Sequence, residues 1–137
     1  LYEEKGYFTS SKKNEQYIKE YNDSYANKNI VENLFNNNLN MLDTLIDDSY
    51  SLWTKKSNFL TLFIELIRFS SNIDNMDLKK LKKILSKFEK NLLKYKNSTD
   101  INNPFVQYYS LSIQGTVSKT ARITRGKILQ EFLRKEY

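Results

Sequence analysis

The chain of 137 residues contains no cysteine and no histidine. Without cysteine, neither a disulfide framework nor a thiolate metal site can form. Without histidine, a Ser-His-Asp catalytic set is excluded, and a transition-metal site loses its commonest ligand. We therefore expect no catalytic centre, no metal and no cofactor in this chain.

Helix-breaking residues are also scarce, with three glycines and one proline. The isolated glycines provide no glycine-rich phosphate loop, and the helical spacing of apolar residues is almost uninterrupted. We predict an all-α fold, a compact bundle of about five to six helices. Residues 1–137 are expected to form a single helical domain, with an N-terminal helix and lead-in over 1–26 and the helical core over 27–137.

The chain has no long apolar run. The most apolar stretch, Phe59 to Ile67, spans nine residues and includes Thr61 and Glu65, whereas a membrane helix needs about 20 residues. We expect a buried helix there, no membrane association and a cytoplasmic protein. Because the sequence begins at Leu1 and shows no signal peptide, we also expect it to be a fragment of a longer protein.

Aromatic and apolar side chains recur at helical spacing in the first third of the chain. Tyr17, Tyr21 and Tyr25 lie four residues apart, which would place three rings on one helix face, either for packing or for binding a partner or stacking bases. From Asn29 to about Tyr50, a 3-4 spacing predicts a core-facing helix. Its apolar positions are Val31, Leu34, Phe35, Leu39, Leu42, Leu45 and Ile46.

The most apolar helix is expected next, with Ser57 or Asn58 as its N-cap and with a central place in the bundle. Glu65 and Arg68 interrupt it three residues apart, a spacing that favours an ion pair within the helix.

A long basic helix is predicted to follow, with Asp74 or Asn75 as its cap and Asp77 in its first turn, and to end near Asn97. Its apolar seam is heptad-like, which favours antiparallel packing within the bundle. The seam consists of Leu78, Leu81, Leu85, Phe88, Leu92 and Tyr95, and Glu89 is the only acid among eight lysines, Lys79, Lys80, Lys82, Lys83, Lys87, Lys90, Lys94 and Lys96. The lysines form either a phosphate-contact surface or a solvated face.

Two further helices are predicted near the end of the chain. Asn103 and Pro104 are typical of a helix start, and we expect that helix to end at Gly115. Thr116 or Ser118 would cap the last helix.

Positive charge is concentrated at the start of this last helix. Lys119, Arg122 and Arg125 lie there, where positive charge opposes the helix dipole. We therefore expect these side chains to reach another element or an anion.

The segment from Phe105 to Leu129 combines an aromatic pair, a Gly-Thr turn and an Arg-x-x-Arg pattern that leads into an apolar helix. Together with SNFLTLFIELIRFSS and the charged helix after it, this pattern covers about residues 57–133. It resembles the end of the helical region in a family of prokaryotic defence proteins. That family has a ParB/sulfiredoxin-like N-terminal domain with a DGQQR-type motif and includes the GmrSD-type modification-dependent restriction enzymes.

The resemblance implies a helical portion of such a protein, whose parent would be an NTPase or nuclease. This portion would hold no complete active site, because the chain has neither a DGQQR run nor the histidine of the family's nuclease domain. Tyr109, Thr116, Arg122 and Arg125 match the family pattern. With Lys119, they are candidate contacts to nucleic acid or to another domain.

We therefore hypothesise a noncatalytic helical domain that contacts DNA, or the other domains of a restriction or phage-defence protein. One alternative is a protein interaction module whose basic face is only solvated. Another is an enzyme with an unrecognised carboxylate or tyrosine site, which would require a concave pocket holding polar groups with strongly shifted pKa values. The sequence indicates no particular oligomeric state.

Overall fold

The part of the chain that the structure describes contains six α-helices and one short 3-10 helix. The computed structural model describes residues 11–21, 24–46, 52–70, 75–114 and 118–137. The helices are α1 Ser11–Tyr21, α2 Lys28–Leu45, the 3-10 helix Leu52–Thr54, α3 Lys56–Ser70, α4 Leu78–Tyr95, α5 Pro104–Ile113 and α6 Lys119–Glu136. The described residues include no strand, and the predicted all-α bundle of five to six helices is confirmed.

Two helices carry most of the predicted apolar core. Helix α3 contacts α2, α6 and the 3-10 helix, and it buries Leu62 and Leu66 completely. Helix α4 contacts α2, α5 and α6. Its predicted seam faces inward, because Leu81, Leu85, Phe88 and Leu92 are buried and Leu78 and Tyr95 are half-buried.

An aromatic cluster surrounds Phe88 at the centre of the core. The Trp53 ring of the 3-10 helix stacks on Phe88 with centroids 5.8 Å apart. Tyr108 meets the Phe88 ring edge-on at 5.0 Å, and Phe105 and Phe132 do so at 5.6 and 5.1 Å. Such edge-to-face pairs add to the stabilisation that ring burial already provides.

Side-chain caps fix the starts of three helices. Asp77 accepts hydrogen bonds from two backbone amides in the first turn of α4, and Asn103 and Ser118 accept one each at the starts of α5 and α6. The predicted start at Asn103 and the cap at Ser118 are therefore confirmed. Asp77, predicted in the first turn, is itself the N-cap. Asn75 instead adopts a left-handed backbone with φ 55°, a conformation that asparagine tolerates well.

The start of α3 differs from the prediction. This helix begins at Lys56, so neither Ser57 nor Asn58 is its N-cap. Asn58 is buried inside the helix, and its Nδ2 donates to the carbonyl oxygen of Leu52 at 3.2 Å. The side chain that seemed suited to a cap therefore holds the 3-10 helix against α3.

Two predictions for the first third are wrong in part, although α2 does bury Leu42 and Leu45 as expected. Helix α1 ends at Tyr21, so Tyr25 lies beyond it, although the two rings still contact with centroids 4.8 Å apart; the Tyr17 side chain lies outside the described ones. On α2, Phe35 and Leu39 are 48% and 36% exposed. They lie at the edge of the buried face of α2. This helix makes its main contacts with α3 and α4, and those two helices do not fully cover the side on which Phe35 and Leu39 lie.

Candidate functional site

Arg125 lies inside the bundle, although its place in a cluster of positive charge made it a candidate contact residue. It is 1% exposed. Its Nε donates to Thr61 Oγ1 on α3 at 3.3 Å, and its Nη1 donates to the carbonyl oxygen of Leu111 on α5 at 2.6 Å. Arg125 therefore joins α6 to two other helices, and in this structure it presents no surface to a ligand.

Further polar groups lie along the buried side of α3. Glu65 is completely buried and pairs with Arg68 at 3.1 Å, as the sequence spacing predicted. Gln130 Nε2 of α6 donates to the Glu65 carbonyl oxygen at 2.6 Å, and Ser112 Oγ of α5 donates to Asn58 Oδ1 at 2.9 Å. We call Asn58, Thr61, Glu65, Ser112 and Arg125 the buried polar cluster.

Tyr108 of α5 adds a buried phenol close to this cluster. Burial raises the pKa of the Tyr108 phenol well above its usual value, while the positive charge of Arg125 lowers it and the negative charge of Glu65 raises it further. The phenol is therefore neutral at neutral pH and cannot act as a base. Every residue of the buried polar cluster is at most 8% exposed. The hydrogen bonds of these groups join α3 to α5 and α6.

The other predicted contact residues have different surroundings. Lys119 is exposed at the start of α6, and Arg122 is half-buried one turn later. Tyr109 is half-buried and packs against the core, and Thr116 lies outside the described residues. The predicted group is thus divided between the interior and the surface. Its contact with nucleic acid or another domain stays a prediction for Lys119, Arg122 and Tyr109.

The outer face of α4 carries a row of exposed lysines that we call the lysine row. It consists of Lys79, Lys83, Lys90 and Lys94, all exposed. Each residue of an α-helix turns by about 100°, so spacings of four, seven and four residues keep these side chains on one face. The buried seam of α4 lies on the opposite side. The fold itself therefore holds the four ammonium groups outward.

The remaining charged groups of α4 are occupied within the domain. Glu89, the only acid between Leu78 and Tyr95, is half-buried and accepts a hydrogen bond from the backbone amide of Leu52. Lys87 pairs with Glu136 at 2.6 Å. Two further lysines donate hydrogen bonds to carbonyl oxygens. Lys80 Nζ donates to the carbonyl oxygen of Tyr137 at 2.5 Å, and Lys82 Nζ donates to that of Thr44 at 3.5 Å.

The lysine row itself has no carboxylate partner in the described part of the chain. The ion pairs there involve other residues, and Lys94 Nζ lies 5.0 Å from the ring centroid of its neighbour Tyr95. The sequence identifies the eight lysines but does not show which of them have partners and which form the lysine row. The partners lie far away in the sequence, in or next to α2 and α6.

Metal and membrane features were also sought among the described residues. They contain no group of three or more acidic, histidine or cysteine side chains that could hold a metal ion. None of the described helices combines the length and apolar character that a membrane span requires.

Compared with known protein families, curated proteins and solved structures, the chain matches none of them. The resemblance to the DGQQR-motif defence family therefore stays a prediction.

Proposed function

We propose that this chain is a noncatalytic helical domain that contacts nucleic acid through the outer face of α4. The observation that supports this proposal is the lysine row, Lys79, Lys83, Lys90 and Lys94, exposed on one face to which α4 itself contributes no acid. Lysines that neutralise phosphates release the counterions condensed on the nucleic acid, which yields affinity without base contacts. The formal net charge of +6 adds a long-range attraction for a polyanion.

The energetics of the isolated helix point in the same direction. Lys79 and Lys83, and Lys90 and Lys94, are like-charged pairs four residues apart. Each such pair destabilises a helix by about 0.2 to 0.5 kcal/mol at low salt. A bound polyanion removes this repulsion, so the face gains stability when it is occupied.

A restriction or phage-defence context is part of this proposal. It is supported by the resemblance of residues 57–133 to the helical region of the DGQQR-motif family. In that setting, the domain would hold a partner catalytic domain near nucleic acid, and Lys119, Arg122 and Tyr109 would be candidate contacts between the domains.

Fluorescence anisotropy with a labelled DNA duplex at low and near-physiological salt tests the proposal. The test variant replaces the four lysines of the lysine row by glutamine, which keeps the helix propensity and removes the charges. A control variant replaces Lys55, Lys56, Lys127 and Lys135, which are also exposed, and so removes the same charge elsewhere. Circular dichroism verifies that both variants are folded.

We expect the test variant to lose at least about tenfold in affinity and the control variant less than about threefold. Equal losses in the two variants would show that only net charge matters and would refute a defined contact face. Absence of binding by the folded wild type at low salt would refute the nucleic-acid role altogether.

A protein interaction module is the second candidate, because apolar side chains are exposed on α2. Ile30, Phe35 and Leu39 are 52%, 48% and 36% exposed, and the Phe35 ring meets Phe63 of α3 edge-on at 5.1 Å. In that case, Phe35→Ser would abolish binding to the partner protein, whereas glutamine substitution of the lysine row would leave it unchanged.

A further inference from the structure

The geometry of α4 points to a specific ligand class: we infer that the lysine row binds the phosphate backbone of a DNA duplex, in preference to a single strand and without selecting a base sequence. This inference rests on the proposed function and specifies its ligand. Three features of the outer face of α4 support it: the straightness of the lysine row, the lack of stacking surfaces and the lack of exposed Arg, Asn or Gln side chains.

The lysine row is straight because one continuous helix carries it. With a rise of about 1.5 Å per residue, Lys79 and Lys94 are separated by about 22 Å along the axis. A DNA duplex is already straight on this scale, since its persistence length is about 50 nm. A flexible single strand must lose conformational entropy before its phosphates can follow the same line. The duplex is therefore the better match.

The face between the lysines offers no ring on which a base can stack. The other exposed residues between Lys79 and Lys94 are Lys80, Ser86, Lys87 and Leu93, none of which is aromatic. The nearest aromatic in sequence, Tyr95, is half-buried and stacks on Phe105 with centroids 5.9 Å apart. Proteins that bind single strands combine positive charge with aromatic stacking platforms. The outer face of α4 has the first of these and not the second.

The outer face of α4 has few side chains of the kinds that read bases. Its exposed residues are lysines, Ser86 and Leu93. Bidentate readout of adenine requires Asn or Gln, and the planar fork of Arg suits guanine. Lysines that neutralise phosphates give affinity without such base contacts. Binding should therefore be independent of sequence.

The number of lysines sets the expected salt dependence. Four phosphate contacts predict that log K falls with log salt with a slope of about −3.6 for duplex DNA, or about −2.8 for a single strand. Between 50 and 200 mM salt, affinity for the duplex should then fall about 100-fold. Each Lys→Gln substitution within the row should reduce the slope by about 0.9.

The experiment measures binding of the whole 137-residue chain to four probes at several salt concentrations. Two are duplexes of about 20 base pairs with unrelated sequences, one is a single strand of the same length, and one is a vesicle preparation containing phosphatidylserine. We expect affinities for the two duplexes to agree within about twofold and to exceed that for the single strand by about tenfold.

Several results would overturn the inference. Equal or tighter binding of the single strand would refute the duplex preference while leaving the proposed function intact, provided that the lysine-row variant is impaired. A large difference between the two duplexes would refute backbone binding. Tighter binding to the vesicles would indicate a membrane surface as the partner. If no nucleic acid binds at low salt, the inference and the proposed function both fail.

Discussion

Replacing Arg125 by alanine should strongly destabilise the domain, because this residue connects three helices from inside the core. In the native state its guanidinium donates to Leu111 on α5 and to Thr61 on α3. Alanine removes both donors and leaves the space of a long side chain unfilled. Thr61 keeps a second hydrogen bond, from its Oγ1 to the carbonyl oxygen of Ser57 at 2.9 Å. The Leu111 carbonyl loses the bond from Arg125.

The magnitude follows from these contacts. A hydrogen bond with a charged donor contributes about 1.5 to 3 kcal/mol, and a buried acceptor left unsatisfied costs about 1 to 3 kcal/mol. Truncating a large buried side chain to alanine costs about 2 to 5 kcal/mol through lost packing and the cavity that remains. We expect Arg125→Ala to lower the free energy of unfolding by about 4 kcal/mol, a large fraction of the about 5 to 15 kcal/mol typical of a domain.

Urea unfolding followed by tryptophan fluorescence is a suitable assay. Trp53 is the only tryptophan in the chain, and it is 2% exposed and stacked on Phe88. Its emission should therefore shift to longer wavelength when the core opens. With a urea dependence of about 2 kcal/mol per molar, a loss of about 4 kcal/mol moves the midpoint down by about 2 M.

Lys119→Ala on the same helix provides the matched control. Lys119 is exposed, so its removal should change the free energy of unfolding by no more than about 0.5 kcal/mol. Arg125→Lys keeps the charge but not the fork of donors, and we expect an intermediate loss. If Arg125→Ala cost less than about 1 kcal/mol, the proposed connection between the three helices would be refuted.

Two further predictions concern the core. Burial raises the pKa of the Tyr108 phenol above its value in the unfolded chain, near 10. Above about pH 10 the phenol therefore loses its proton more readily in the unfolded chain than in the folded one. The free energy of unfolding should be unaffected by this group below about pH 10 and should fall above it by up to about 1.4 kcal/mol per pH unit. Tyr108→Phe should remove this fall when urea unfolding is measured at increasing alkaline pH. It should cost little stability at pH 7, because the hydroxyl has no hydrogen-bond partner among the described residues. If the free energy of unfolding fell with pH as steeply in the variant as in the wild type, this prediction would be contradicted. Leu92→Ala should cost about 2 to 5 kcal/mol and Leu93→Ala less than about 0.5 kcal/mol, since their exposures are 1% and 59%; similar losses would show that α4 is rotated from the orientation described.

Helix positions could largely be predicted from sequence, because capping and apolar spacing act locally. The Asn103 cap with Pro104 and the seam of α4 are examples in which neighbouring residues contain the whole signal. The burial of α2 could not be predicted in the same way. Phe35 and Leu39 satisfy the apolar spacing, but their exposure depends on how many helices pack against that side.

The candidate site was harder to predict, because the roles of charged residues depend on distant partners. Arg125 and Arg122 have the same local pattern, yet one is buried and the other half-exposed. The acceptor of Arg125 on α3 lies 64 residues away in the sequence. A usable signal was nevertheless present: the apolar residues Ala121 and Leu129 lie four residues before and after Arg125 in the sequence, and that spacing places all three on one helix face.

The buried polar cluster has a consequence for how the bundle selects one arrangement. Helix α3 is apolar on almost every side, so rotating it about its axis would cost little hydrophobic area. Hydrogen bonds are directional, and only one rotation lets Thr61 meet Arg125, Asn58 meet Ser112 and the Glu65 carbonyl meet Gln130 at the same time. Any other rotation would leave buried polar groups without partners. Apolar burial thus drives these helices together, while a few buried polar atoms determine which way α3 faces.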